Sequence, residues 1–310
     1  MAKVAILIST YNGTRYLSEQ LDSLIGQEGV IVTVFVRDDG STDDTKEMLT
    51  SYAEKHDNVK VSFENNVGVG NAFLKMIYDA PSDYDYYALS DQDDVWEPDK
   101  VVSAVNFLEK TGGMLYASNQ ECVDAECNSL GLRYDEHSRI NLTPEGILSE
   151  NNLAGCTMVF NNKFYSIITE EGRRPSSELL KVRIHDVWLA MVASLYGGLV
   201  YDPSSHIKYR QHGDNIVGAY RKPLKDRIKA KFKKIKNKSL RCYRSALAKE
   251  IILKFPEKAA EHPLIGISAN CKTLKGKNSI LKNAATFRAF TGESGLTFFF
   301  KVVFNLFKMG

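Results

Sequence analysis

The chain lacks any run approaching ~20 uninterrupted apolar residues, so no transmembrane helix is expected. Its five cysteines, Cys122, Cys127, Cys156, Cys242 and Cys271, are odd in number and form no C-x-x-C pair. That excludes a disulfide framework and a zinc ribbon and makes a reducing compartment the simpler reading. No G-x-x-x-x-G-K-[ST] loop occurs, which removes the P-loop enzymes. Gly68-Val69-Gly70 fails the dinucleotide G-x-G-x-x-G test, because Phe73 holds the third glycine position and the segment follows the third expected strand. There is no internal repeat. Met1–Ile8 has too short an apolar run for a signal peptide and no small-residue cleavage site after it, so it reads as a buried first strand. The expectation is a chain made and kept in the cytoplasm.

Net charge is also nearly missing: 40 Lys+Arg face 38 Asp+Glu, a formal +2. The balance hides two opposite halves. From Tyr220 onward there are 22 basic and 5 acidic residues, a surplus of +17, which leaves 18 basic and 33 acidic residues in 1–219, a deficit of −15. With 44% hydrophobic and 10% aromatic residues the chain as a whole is not disordered. The division expected is 1–219 for one large α/β domain and 220–310 for a basic helical extension.

Periodicity in the first 120 residues alternates strand and helix. Strands are expected at Lys3–Ser9, Val30–Val36, Val59–Phe63, Tyr84–Leu89 and Met114–Asn119, and helices at Tyr16–Ile25, Thr42–Lys55, Gly70–Tyr78 and Asp99–Lys110. This rhythm predicts a mostly parallel sheet flanked by helices on both faces. The middle is less regular, with strand-like Cys156–Phe160 and helix-like Val187–Tyr196. Ligands in such sheets bind beyond the carboxyl ends of strands, where Thr10-Tyr11-Asn12, Asp38-Asp39 and Asp91-Gln92-Asp93-Asp94 fall.

Carboxylates gathered at one strand end repel one another unless a cation joins them. A hard divalent ion, Mg²⁺ or Mn²⁺, takes oxygen ligands and commonly shares them with a diphosphate. The other reading of Asp91, Asp93 and Asp94 is a solvated acidic turn that caps the next helix. Asp38 and Asp39 carry the same pair of readings: a helix-capping turn, or acceptors for a nucleobase N–H or a ribose hydroxyl.

Taken in order, Ile8-Ser9-Thr10-Tyr11-Asn12, Val36-Arg37-Asp38-Asp39-Gly40-Ser41-Thr42-Asp43, Asn65–Gly68 and Ser90-Asp91-Gln92-Asp93-Asp94 resemble the family 2 glycosyltransferases, inverting enzymes with the Rossmann-like fold called GT-A. The likeness covers residues 1 to about 219. The longer forms S-D-Q-D-D-V-W, H-D-x-W and Y-R-Q-H-G-x-N-x-x-G (Tyr209 to Gly218) are similar to its bacterial rhamnosyltransferase branch, and the length and basic tail resemble the enzymes of cell-wall polysaccharide synthesis that extend a lipid-linked rhamnan. The resemblance implies that Thr10, Tyr11, Asn12, Asp38 and Asp39 line a nucleoside pocket. It implies that Asp91 faces the ribose or donor sugar, with Gln92 beside it, and that Asp93 ligates the metal, with Asp94 as alternative ligand. The Asn65–Asn71 segment, with Gly68, would pack beneath the nucleotide. It departs from the common family form, which has an arginine where Asn71 and Ala72 stand, so direct phosphate contact is not expected there.

Inverting transfer needs a base for the acceptor hydroxyl and a cationic environment for the departing diphosphate. Ile184-His185-Asp186-Val187-Trp188 matches the family position of that base, which makes Asp186 the choice; its other reading is an N-cap. His185 reads as a neighbour that shapes the site. In Tyr209–Asn215, His212 is a candidate metal ligand or phosphate partner, against the commoner role of a structural hydrogen-bonder, and Arg210 a candidate partner of the leaving group. Trp96 and Trp188 read as core.

In the tail, Arg221 to Lys238 holds ten basic residues in eighteen positions, with Leu224, Ile228, Phe232 and Ile235 as a narrow apolar stripe. Leu296–Phe307 is apolar with a thin polar stripe, too short to span a bilayer but able to lie in its interface. The tail reads as a clamp on an anionic membrane surface, peripheral on the inner face, that holds the site near a lipid-linked saccharide acceptor. Packing on the main domain or on a second subunit, giving a homo-oligomer, is its alternative. Nucleic-acid binding through 221–238 explains the tail but not the acidic front, and no nucleic-acid partner is expected. The donor expected is dTDP-L-rhamnose, with UDP-sugars second.

Overall fold

A computed structural model describes residues 1–182, 185–211 and 243–304 of the chain. His212 and the 221–238 basic run lie outside the described residues. Two compact units are formed, one from residues 1–138, 153–169 and 198–219, the other from 139–152, 170–197 and 220–310.

The first unit is built on strand β1 (Lys3–Thr10), in which Val4, Ala5, Ile6, Leu7 and Ile8 are all buried. A strand apolar on both faces belongs in the middle of a covered parallel sheet. There β1 pairs in parallel with β2 (Ile31–Asp38) and with β4 (Tyr86–Ser90), and β2 pairs in parallel with β3 (Val59–Phe63). The register sets Thr10 beside Asp38 and Ile8 beside Ser90, so three adjacent strands end at one edge. Helices α1 (Leu17–Ile25), α2 (Thr45–Lys55), α3 (Val69–Asp79) and α4 (Lys100–Thr111) supply the crossovers. Leu17, Leu21 and Leu24 of α1 recur at helical spacing and join the core with Val101, Ala104, Val105 and Leu108 of α4.

Beyond β4 the sheet continues through short antiparallel pairings. The order is β3-β2-β1-β4 followed by β8 (Val159–Asn161), β6 (Leu115–Val123), β9 (Leu199–Arg210) and β5 (Val95–Trp96), with β7 (Ser129–Leu132) paired to β6. Strand β9 (Leu199–Arg210) runs parallel to β6 and antiparallel to the two-residue β5 (Val95–Trp96). That pairing brings Arg210 to the loop after β4. The strand expected at Cys156–Phe160 is a 3-10 turn (Gly155–Thr157) followed by β8 (Val159–Asn161). The Ala154 carbonyl explains the change, since it accepts both the Thr157 N–H (3.1 Å) and the Thr157 hydroxyl (2.8 Å). Helix α6 (Asn162–Thr169) follows directly.

The second unit is helical: α5 (Pro144–Ser149), α7 (Ser177–Val182), α8 (His185–Leu195), α9 (Tyr243–Lys254), α10 (Pro256–Ala260), α11 (Pro263–Ala269), α12 (Leu274–Lys282), α13 (Ala284–Thr291) and α14 (Gly295–Val303). Every residue of α8 is buried, as expected of a helix apolar on nearly all sides. Trp188 packs on Phe255 with ring centroids 5.9 Å apart, and Arg244 donates to the Ser149 carbonyl at 2.9 Å. A separate small core joins Cys271, Ile280, Phe287, Phe298 and Val302. No described helix is long and apolar enough to cross a membrane.

Candidate active site

Three loops converge because three parallel neighbours end together. The first, Thr10 to Gly13, is held from both sides. Gln92 folds its amide back on it: Oε1 accepts the Thr10 hydroxyl and the Tyr11 N–H, each at 2.8 Å, and Nε2 donates to the Tyr11 carbonyl at 3.2 Å. On the other side Asn12, at φ 49°, donates its N–H to Ser41 Oγ at 2.9 Å and accepts the Thr42 N–H on Oδ1 at 2.8 Å. Gly13 donates to Thr45 Oγ1 at 2.9 Å, and a Cβ there would stand 2.7 Å from Gln92 Oε1. The tightly held loop leaves the Tyr11 ring nearly half exposed.

Asp38 and Asp39 differ sharply. Asp39 spends its carboxylate within the fold: Oδ1 takes the Arg37 guanidinium at 2.9 Å, and Oδ2 takes the Val67 and Gly68 N–H groups, each at 3.0 Å. Arg37 also donates to the Asn65 carbonyl at 3.0 Å, so the 65–68 segment is tied to the end of β2. Gly68 sits at φ 80°, a left-handed turn into α3 that favours glycine. Asp38 is fully buried and accepts the Ser41 N–H at 3.1 Å on Oδ2, while its Oδ1 has no hydrogen-bond donor among the described residues.

The third loop follows β4. Asp91, Gln92 and Asp93 are half-buried and Asp94 is fully buried. Gln20 Nε2 donates to Ser90 Oγ, which donates to the Asp91 carbonyl at 2.9 Å and fixes the start of the turn. Asp94 Oδ1 accepts the Arg210 N–H at 3.1 Å; its Oδ2 lacks a hydrogen-bond partner among the described residues. Burial, with Asp93 and Asp91 close by, pushes the Asp94 carboxyl well above the usual carboxylate range. Arg210 is 2% exposed and holds this loop from behind, donating to the Asp93 carbonyl (2.9 Å), the Ala125 carbonyl (2.6 Å) and Glu19 (2.5 Å) while lying over the Tyr16 ring.

Beneath the loop lie residues that spacing did not single out. Ligand atoms of Asp91, Asp94 and Cys156 lie within 4.8 Å of one another. Burial, then Asp94 and Asp91, raise the Cys156 thiol well above its usual pKa, and its sulfur accepts from Gln120 Nε2 at 3.2 Å. The buried Lys100 ammonium stands 3.4 Å from the Trp96 ring centre, its pKa brought down to about 7 by burial against the opposing pull of Cys156 and Asp94. The sequence offered no signal for Cys156, which sits in the turn just before β8, the strand beside β4. Lys100 stands six positions past Asp94 at the start of α4, and a lysine beside an apolar helix face was the available hint.

A hard divalent cation fits this donor set in part. Asp91 and Asp93 present half-buried carboxylates and Asp94 a buried oxygen with no hydrogen-bond donor, which are oxygen ligands of the kind Mg²⁺ or Mn²⁺ takes. Cys156, held as a neutral thiol, is no ligand for such an ion.

In the second unit, Asp186 is the second residue of α8, 8% exposed, and its Oδ1 accepts the Val187 N–H at 2.6 Å. It therefore lies inside the first turn and not before the helix. His185 is buried beside it, its pKa lowered to about 3 by burial.

The family model described as glycosyl transferase family 2 matches residues 5–162. A dTDP-rhamnosyl transferase of Shigella flexneri is 28% identical over 254 residues, 78% of this chain and 82% of its own. An uncharacterised glycosyltransferase of Nostoc is 26% identical over half of this chain, which spans 48% of that protein. Among solved structures, S. aureus TarS 1–349 in complex with UDP superposes with a TM-score of 0.57 at 18% identity, covering 86% of this chain and 71% of that one. This last likeness concerns the fold, which is the GT-A architecture.

Proposed function

The chain belongs to glycosyl transferase family 2, and from that premise we propose an inverting sugar transfer from a nucleoside diphosphate donor to a hydroxyl of a lipid-linked saccharide. The observation that carries this reading is the convergence of the β1, β2 and β4 ends, with one Asp38 oxygen and one Asp94 oxygen lacking donors in the described structure. A buried carboxylate oxygen without a donor is costly unless a ligand supplies one.

In this reading Tyr11, Asn12 and Asp38 bind the nucleoside, and Thr10, Asp39, Asn65, Gly68, Gln92 and Arg210 keep the loops in place. A Mg²⁺ or Mn²⁺ ion, when bound, offsets the charge of the departing diphosphate; Asp91, Asp93 and Asp94, with His212, are the residues to hold it. Asp186 takes the proton of the acceptor hydroxyl as its oxygen attacks the anomeric carbon. The bond from that carbon to the phosphate oxygen breaks, and its electron pair leaves with the nucleoside diphosphate. Support for L-rhamnose from dTDP-L-rhamnose as donor comes from the Shigella relative's name and the shared motifs. The basic extension is assigned to an anionic membrane surface on the cytoplasmic face, with a homo-oligomer as its second use.

A panel of nucleotide-sugars, with lipid-linked acceptor, assayed by nucleoside diphosphate release with and without chelator, tests the reading. Turnover of dTDP-L-rhamnose that is lost with chelator is expected; no turnover of any donor overturns it. Asp186→Asn should keep nucleotide binding and lose transfer, and loss of both would assign Asp186 to holding α8 instead.

A further inference from the structure

Helix α14 carries two apolar stripes. Phe298 and Val302 turn inward onto Phe287, in the small core they share with Cys271 and Ile280. The second stripe faces solvent: Leu296 is 69% exposed, Phe299 47%, Phe300 49%, Val303 38% and Phe304, just past the helix end, 58%. These five positions follow the i, i+3, i+4, i+7, i+8 pattern by which a helix presents one continuous face. Phe300 and Phe304 stack, with ring centroids 6.1 Å apart, so the surface is aromatic and contiguous. A patch of this kind marks an interaction site.

Charge identifies what covers it. From residue 263 to 304 the chain holds Lys272, Lys275, Lys277, Lys282, Arg288 and Lys301 against one acid, Glu293. That acid is paired with Lys301. Lys277 donates to the Val303 carbonyl at 2.8 Å, which puts a cation at the carboxyl end of α14 itself. A second copy of this chain would bring the same surplus of positive charge against it. An anionic bilayer brings the opposite charge and an apolar interior together, at roughly 1 kcal/mol per Lys or Arg near its surface. At nine residues α14 cannot span a bilayer but can lie in its plane.

We propose that the outer face of α14, Leu296, Phe299, Phe300, Val303 and Phe304, inserts into the headgroup–acyl boundary of an anionic membrane. The inference rests on the membrane reading of the basic extension and adds to it which face of the last helix enters the lipid and which is held by the fold. The basic residues draw the surface in, and the phenylalanines fix depth and orientation.

The test uses the full chain with vesicles of phosphatidylcholine alone and of phosphatidylcholine with phosphatidylglycerol. Phe300→Trp places a reporter on the face, while Trp96 and Trp188 are buried and shielded from the lipid. Brominated acyl chains should quench the new emission in the anionic vesicles. The combined Phe299→Ser, Phe300→Ser and Phe304→Ser variant should lose about tenfold or more in vesicle affinity. It should keep its thermal midpoint and its release of nucleoside diphosphate from soluble donor, because the three side chains face solvent. Anionic-vesicle binding with no quenching, and undiminished in the serine variant, would overturn insertion while leaving the electrostatic clamp standing. No binding of the unaltered chain to either vesicle would overturn the membrane reading itself. An oligomer that dissociates in the serine variant would make this face a subunit interface and overturn the proposal.

Discussion

At the scale of the residue, the informative side chain is one that its position would assign to the ligand. Gln92 stands between two aspartates, yet its amide is engaged by the Thr10 hydroxyl and by the backbone N–H and carbonyl of Tyr11. Gln92→Leu should therefore weaken nucleoside diphosphate binding by about tenfold through Tyr11. Titration calorimetry on Gln92→Leu, Tyr11→Ala and the double variant checks this. The two losses should fail to add; additive losses would mean that Gln92 touches the ligand itself. His185 gives a pH prediction. Its imidazole is neutral in the fold down to about 3, whereas an unperturbed histidine titrates at 6.5. Between those values the unfolded chain binds a proton that the folded chain does not, so stability is full above 6.5 and falls as pH drops toward 3, by up to ~1.4 kcal/mol per unit. Urea unfolding from neutral to acid pH should show this slope, and His185→Gln should flatten it.

At the scale of the element, the strands and helices of the first 120 residues were legible because burial imposed clean periods on them. Val59–Phe63 falls where alternation and β-branching put it, and β1 is a continuous apolar run because both its faces are covered. Strand β9 escaped a full reading. It contains Pro203 and Ser204-Ser205, and its register against β6 shifts around Asn119, so no period of two survives in Leu199–Arg210. Strand β5 has two residues and no pattern to read; it exists because β9 lies beside it. The tail helices depend on similar close fits. Thr273 caps α12 by accepting the Gly276 N–H at 2.9 Å, and a Cβ at Gly276 would collide with the backbone carbonyl of Asn270. Backbone cannot yield as a side-chain tip can, so Gly276→Ala should cost about 1–3 kcal/mol in chemical denaturation. A Gly276→Ala midpoint equal to that of the unaltered chain would refute the collision.

At the scale of the whole molecule, charge and packing divide the chain differently. Charge changes sign near residue 220, whereas the helical unit also gathers residues 139–152 and 170–197. Asp186 thus sits on a helix that packs with the tail residue Phe255 through Trp188, and belongs with the tail in its packing. The proposed membrane role has a direct ionic signature. Raising salt from about 0.1 to about 1 M shortens the Debye length from roughly 10 to roughly 3 Å. Association with anionic vesicles should fall by about tenfold or more across that range. The proposed nucleoside diphosphate release from soluble donor should change much less, since the charges of its site are partly buried. Sedimentation and product release, measured side by side, check the contrast.

The sequence by itself determined the main alternation of strands and helices in the first 120 residues, the carboxylates at three strand ends and, through their joint order, membership of the family. These are local properties: periods of two and 3.6, and turn residues after apolar runs. Only the tertiary structure decided which of those polar groups are consumed by the fold and which keep an atom without a donor among the described residues. Among the described residues Asp38 keeps an oxygen without a donor while its neighbour Asp39 is saturated, and Arg210 holds the backbone of the Asp93 loop. The physical reason is separation along the chain. Gln92 meets Thr10 across 82 positions and Arg210 meets Asp93 across 117, and no period in the sequence encodes a hydrogen bond at that range.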